Sequence, residues 1–456
     1  MAGIGFELRK LLRSESYLGL LRAYTYASII SSGPWVFSII GLIAVGVLSL
    51  GVVTPDTLIT QFQVTVTYLI MASLILTGGL QLGFTRWVAD RLFEKRKDDI
   101  APAYFGVVLV TTAVSGALGW LVALLGFDGV GNLYRVLIVV GLTLLSNLWI
   151  TTVFLSGLKQ YRAIVGLYAL GYGISVLLSY FARPWGLDGL LLGFIGGQFV
   201  MWVLMLWLVL RNFPVVRPIT LACFRPRQMY LSLIAGGVLY NLGVWADKLT
   251  FWFTTGTSTP VIGPLRASTI YDLPVFLAYL CVIPGMGIFL VKFETDFVEW
   301  YDKFYTAVRE GGALQDIARY HDGMQGVVRE GLYQILKVQA LTLLAVYTFV
   351  PALFSWIGIS SLYIPLFLVQ AVAASFQVML LAVLNVFYYL DRRRDVVVIT
   401  ATLTVLNFAL SMLSIHLGPA FFGYGFGVAL LLTLMLGMML LQRLFRKLEY
   451  QTFMLQ

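Results

Sequence analysis

Apolar runs of bilayer length recur along this chain and constrain its fold more than any other feature. They fall at about 24–50, 62–85, 101–125, 135–157, 162–182, 188–210, 229–253, 268–291, 333–357, 362–390, 396–416 and 420–441. Each is near the ~20 residues an α-helix needs to cross a hydrocarbon core. In lipid, every backbone N–H and C=O must find a partner within the protein, and a helix satisfies its own. The spacing therefore predicts an all-α polytopic membrane protein of about twelve transmembrane helices. Only 12% of the 456 residues are charged, against about 25% in a soluble domain, which excludes the soluble classes.

Loop charge sets orientation. With the N-terminus in the cytoplasm, 26 of the 31 Lys and Arg fall in cytoplasmic segments, and external loops hold three, Arg135, Arg183 and Arg266. The positive-inside rule then predicts N-in/C-in topology. The same cytoplasmic segments hold 17 Asp and Glu and so carry the whole net charge of +9. A topology signal facing anionic lipid accounts for that charge, and no nucleic-acid partner is expected. No cleavable signal peptide is expected either.

Residues 1–210 read as an N-terminal six-helix lobe, led by an interfacial helix with Ile4, Leu8, Leu11 and Leu12 on one face. Residues 211–228, with Pro214, Pro218 and Pro226, read as a cytoplasmic connection, and 229–456 as a second six-helix lobe. The one long loop is 292–330. In it Phe293, Phe297, Trp300, Phe304 and Val308 recur at helical spacing opposite Glu294, Asp302 and Arg309. That pattern predicts an amphipathic cytoplasmic insertion. It reads as a membrane-surface helix or as a docking surface with Phe297, Trp300 and Phe304 as contacts.

Asp247 and Lys248 interrupt the seventh run among Trp245, Phe251 and Trp252. Ionisable groups in a span cost roughly 2.5–3.5 kcal/mol each on insertion scales, so they call for a reason. Neighbours on a helix project about 100° apart, so the two are not expected to pair well with each other. Asp247 reads as a cavity-facing carboxylate for a cation, a proton or a sugar amine, and Lys248 as a partner for a polar ligand. The plainer alternative is a structural hydrogen bond for Asp247 and snorkelling for Lys248. Trp35 and Tyr240 inside their spans, and Trp245 nearer the outer end, could stack on a sugar or simply pack. Asp272 joins these as a path candidate. Gly33, Pro34, Pro274 and Pro284 mark kinks or hinges. Gly189, Gly193 and Gly197, like Gly79 and Gly83, have the spacing that lets helices approach closely.

Cys223 and Cys281 lie in segments that cannot form a disulfide framework, and His321 and His416 sit outside any ligand-spaced motif, so no metal site is expected. There is no phosphate loop, zinc-protease helix or nucleophile elbow. External loops are too short for a catalytic domain. No enzyme activity and no cofactor are expected.

Twelve spans split six and six resemble the multidrug/oligosaccharidyl-lipid/polysaccharide flippase superfamily. The charged doublet in WADKLTFWF is similar to its polysaccharide-transporter branch. MAGIGFELRKLL running into SSGPWVF resembles the inner-membrane transporter family of the Pel exopolysaccharide system. The resemblance implies two helical lobes around a central cavity and export of an N-acetylgalactosamine/N-acetylglucosamine-rich glycan across a bacterial inner membrane. It implies as partners the cyclic-di-GMP receptor PelD, the membrane protein PelE and the cytoplasmic glycosyltransferase PelF. The spans hold few basic residues, which favours a weakly charged glycan over a pyrophosphate-linked lipid. Other readings are a cation-coupled small-molecule antiporter of the same fold, a membrane glycosyltransferase, and a non-transporting scaffold of a polysaccharide synthase.

Overall fold

The structure, a computed structural model, describes residues 17–158, 160–215, 217–225 and 229–454. The expected interfacial helix at the N-terminus lies outside the described residues. The chain is nearly all helical. Its helices are α1 (Tyr17–Ser49), α2 (Thr57–Phe93), α3 (Ile100–Gly126), α4 (Asn132–Gly157), α5 (Tyr161–Ala182), α6 (Gly186–Asn212) and α7 (Leu231–Phe253), then α8 (Thr269–Leu280), α9 (Ile283–Val291), α10 (Phe297–Arg309), α11 (Leu314–Ile357), α12 (Ile364–Tyr389), α13 (Arg393–Leu417) and α14 (Tyr424–Met454). A short antiparallel hairpin, β1 (Thr259–Ile262) and β2 (Leu265–Ala267), follows α7.

Among the described residues, nine helical stretches are long and apolar enough to cross a membrane, or ten with the bent pair α8 and α9–α10. The expectation was twelve, and the difference has physical reasons. Residues 161–212 hold two of the expected runs, α5 and α6, joined only by the 3-10 turn Arg183–Trp185, and so count as one stretch. The helix α7 is not among the nine, because Asn241, Asp247, Lys248 and its Trp and Tyr residues lower its hydropathy.

Packing divides the chain into two units, one of residues 1–32 with 270–456 and one of 33–269. The chain passes between them at Ser32/Gly33, inside α1, and at Thr269/Ile270, at the start of α8.

In the unit 33–269, α5 and α6 form a tight antiparallel hairpin. A Cβ on Gly189 would meet the Ala182 carbonyl, one on Gly193 the Ser179 backbone, and one on Gly197 the Ser175 backbone. One index rises as the other falls, so the glycine stripe is where two backbones touch. The core between α2, α4 and α6 is apolar around Phe62, Leu145 and Phe194, with hydroxyls paired across helices. Thr65 bonds Tyr134 at 2.7 Å, and Thr151 bonds Tyr104 at 2.7 Å. Such pairs satisfy polar groups that water cannot reach.

In the other unit, the span of α8 and α9 is bent by 43°. Pro284 has no N–H to give, so the α-helical ladder cannot run through this point. A π-helical turn, Lys292–Asp296, joins α9 to α10. The helix α11 is about 66 Å long at 1.5 Å per residue, twice a hydrocarbon core, so one end projects beyond the bilayer. That end covers the amphipathic face of α10. Phe297 and Phe304 are 0% exposed, the Phe304 ring lies 6.3 Å from His321, and Trp300 packs on Gly323 and Tyr320. The segment expected as a long loop is thus a helical hairpin, and its apolar face is filled from within the chain.

Candidate functional site

The site is built on α2 and α7, which run antiparallel. At one end Tyr230, just before α7, donates its hydroxyl to the Asp90 carboxylate of α2. Further along, Gly78 and Gly237 meet backbone to backbone, since a Cβ on Gly237 would collide with the Gly78 carbonyl oxygen. At the far end Tyr68 of α2 stacks on Trp252 of α7, with ring centroids 4.5 Å apart and planes at 24°. The glycines bring the two helices close enough for these rings to overlap.

Asp247 and Lys248 sit one to two turns before that stack and are 0% and 4% exposed. Contrary to the expectation that adjacent residues would not pair, Lys248 Nζ lies 3.2 Å from both Asp247 Oδ1 and Oδ2. The reason is the reach of the lysine. Its flexible stem folds back along α7, where the ammonium also donates to the Val244 carbonyl at 3.2 Å and lies 5.5 Å from the centre of the Trp245 ring. Angular separation at Cβ does not limit a side chain with four methylenes. Trp245 is 6.1 Å from Trp252, so the pair is walled by two indoles and, beyond them, Tyr68.

The hairpin β1–β2 is pinned to this end. The Tyr68 hydroxyl donates to the Arg266 carbonyl at 2.9 Å, and Gln61 Nε2 donates to the Val261 carbonyl at 3.2 Å. Arg266, counted above only as an external-loop charge, holds the hairpin through Nε to Ser258 Oγ at 2.9 Å.

The structure brings Asp247, Lys248 and Trp245 together, with Tyr240 half-buried two turns earlier on α7. Trp35 is half-buried on α1, and its carbonyl accepts from Ser38. Asp272 belongs to the other unit, in the first turn of α8, where the helix dipole favours a carboxylate. Pro274 lies within α8, and Pro284 opens α9 at the bend. Gly33 and Pro34 adjoin the point where the chain changes unit. The sequence reading missed Tyr68, which meets Trp252 of α7 across 184 positions (252 − 68) and carries no local signal of that role. Among the described residues no group of His, Cys, Asp or Glu could hold a metal.

Solved structures share this multi-spanning helical fold. An outward-facing multidrug resistance MATE family transporter of the MOP superfamily matches with a TM-score of 0.69 at 13% identity, covering 97% of this chain and 98% of that one. A MATE protein in the bent conformation gives 0.66 at 13% identity, over 94% and 97%. A MOP superfamily transporter from Pyrococcus furiosus, whose binding pocket is described as of reverse polarity, gives 0.65 at 12% identity, over 94% and 96%. No curated protein matches the chain. The sequence profile of the PelG family, "Putative exopolysaccharide Exporter (EPS-E)", matches residues 1–453, and the chain belongs to that family. The family is described as one of exopolysaccharide exporters, and the fold is shared with MATE transporters.

Proposed function

We propose that this chain exports Pel, an N-acetylhexosamine-rich exopolysaccharide, from cytoplasm to periplasm across a bacterial inner membrane, coupled to a cytoplasmic glycosyltransferase. The carrying observation is the Asp247–Lys248 pair, buried and charge-compensated beside Trp245, Trp252 and Tyr68. A lone carboxylate would favour a cation and a lone lysine a phosphate. A closed pair among aromatic rings suits a weakly charged sugar chain, which offers hydroxyls to polar groups and C–H faces to rings.

In this reading α5 and α6 count as two spans, and α7 and the bent α8–α9 add two more, giving twelve with N-in/C-in topology. Gly33 and Pro34 act as a hinge where α1 passes between the units, with Ser31 and Ser32 bonded back to Ala27 and Ser28 to soften the helix there. PelD, PelE and PelF are its partners. Phe297 and Phe304 are buried, so the partner contact on α10–α11 is the polar face around Asp302, Arg309 and Arg319.

The test is polymer secretion by cells carrying Asp247→Asn or Lys248→Ala, with membrane abundance measured in parallel. Loss of secretion at normal abundance supports the reading, and normal secretion makes the doublet structural. A second reading, cation-coupled antiport, draws on the MATE fold. It expects proton-dependent efflux of small cationic compounds by the purified protein, abolished by Asp247→Asn.

A further inference from the structure

We infer that the junction of the π-helical turn, α10 and α12 is a sugar-binding subsite that takes hydroxyl- or amine-bearing, non-anionic glycan units. The inference rests on the export function proposed above and names a second site for the same class of substrate, in the unit that does not contain Asp247 and Lys248.

The junction starts from Glu294. Its π-helical turn, Lys292–Asp296, lets the helix take up an extra residue, and its carboxylate meets α12. There Asn385 Nδ2 donates to Oε1 at 2.9 Å, and the Tyr389 hydroxyl donates to Oε2 at 2.8 Å. The nearby cation on the same turn is engaged elsewhere, because Lys292 Nζ lies 3.1 Å from both Asp296 and Glu330. Asn385 Oδ1 is buried and has no donor. A carboxylate held by neutral donors thus lies beside an amide oxygen that lacks one, and buried acceptors without donors are rare in folded proteins. Glu294, partly exposed, is the acceptor that a ligand reaches, and it calls for donors such as hydroxyl and amino groups.

Rings supply the other half of the chemistry. Tyr389 stands 5.7 Å from Phe297 and 5.9 Å from Tyr301, and Tyr301 stands 4.6 Å from Tyr305. Phe297 is fully buried beneath them, while the three tyrosines and Glu294 are each partly exposed. Flat aromatic surface next to acceptors recognises a pyranose, whose C–H face stacks while its hydroxyls donate. The Glu294 carboxylate also repels phosphate and uronate groups, which sets the sign of the selectivity.

The same bonds also fasten α10 to α12, so the test must move binding and not only packing. The full-length protein in nanodiscs is examined by saturation-transfer NMR with chitotetraose, and with tetragalacturonate as the anionic counterpart. The expected result is transfer to chitotetraose ring protons and none to tetragalacturonate. Tyr301→Ala and Glu294→Gln should each weaken chitotetraose binding roughly tenfold, while Tyr301→Phe keeps it. Tyr301→Phe is the variant that guards against misfolding, since it keeps the ring, whereas Glu294→Gln loses the charge and leaves one acceptor oxygen for the two donors Asn385 and Tyr389. Binding that is absent, or indifferent to both substitutions, overturns the subsite. If such a protein still secretes polymer in a manner dependent on Asp247, the export function stands without the subsite. If no form of the protein supports secretion, the function fails and the subsite with it.

Discussion

Replacing Asp247 by Asn and Lys248 by Met, singly and together, measures how strongly the buried pair is coupled. In the native chain the ammonium has both carboxylate oxygens at 3.2 Å and the Val244 carbonyl at 3.2 Å, and neither charge reaches solvent. Removing one partner of a buried pair costs about 3–5 kcal/mol, because the other is left as an uncompensated charge. Asp247→Asn belongs at the lower end, near ~3 kcal/mol, since the amide oxygen and Val244 still accept from Lys248. Lys248→Met belongs at the upper end, about 5 kcal/mol, since it takes the ammonium away from a fully enclosed carboxylate. In the double variant no charge is buried and the thioether fills the lysine channel, so stability should return to within about 1–2 kcal/mol of the parent. The assay is SDS-induced unfolding of the lipid-solubilised protein, followed by tryptophan fluorescence. Single variants that each cost less than ~1 kcal/mol, or a double variant that loses the sum of the singles, would refute the reasoning.

Three more outcomes follow from particular contacts. Gly237→Ala places a methyl against the Gly78 carbonyl and should lower stability by about 1–3 kcal/mol, whereas Gly166→Ala, which meets nothing within 4 Å, should be neutral or slightly stabilising; thermal unfolding compares the two. Phe304→Ala empties a fully buried site between α10 and α11 and should cost about 3–5 kcal/mol, seen as faster proteolysis within 292–330; unchanged proteolysis would mean that the ring packs on nothing. Burial pushes the Cys223 thiol up to about 11, so in a Cys281→Ser background about a thousandth of it is thiolate at pH 8, and maleimide labelling should rise about tenfold per pH unit from 8 to 10; labelling at pH 7.5 as fast as a free thiol would show the connection to be open.

Much of the fold was legible because the bilayer fixes helix length and small residues report close contact. The runs at 162–182 and 188–210 correspond to α5 and α6, and the stripe Gly189, Gly193, Gly197, read as a close-approach surface without a named partner, is where α6 meets α5. What escaped was decided by contacts distant in sequence or by side-chain reach. The pairing of Asp247 with Lys248 depends on a lysine stem folding back, which angular spacing does not record. The partner of α10 was readable in part, since Ile317, Met324, Val328 and Ile335 recur at helical spacing and all lie buried on α11. An amphipathic helix alone does not say whether lipid, a partner or its own chain covers it. The hairpin β1–β2 had a local signal in the β-branched residues around Gly263-Pro264, with Gly263 at φ +52° in its turn. The π-helical turn that brings Glu294 to α12 had none.

The most direct test of export is movement of sugar by the protein itself. Proteoliposomes containing the full chain would be given a fluorescent N-acetylhexosamine oligosaccharide outside, with trapped oligosaccharide measured after washing. The account predicts accumulation that requires the protein, is lost with Lys248→Ala, and is not matched by a small cationic dye. Uptake of the dye in its place, dependent on a proton gradient and on Asp247, would contradict it.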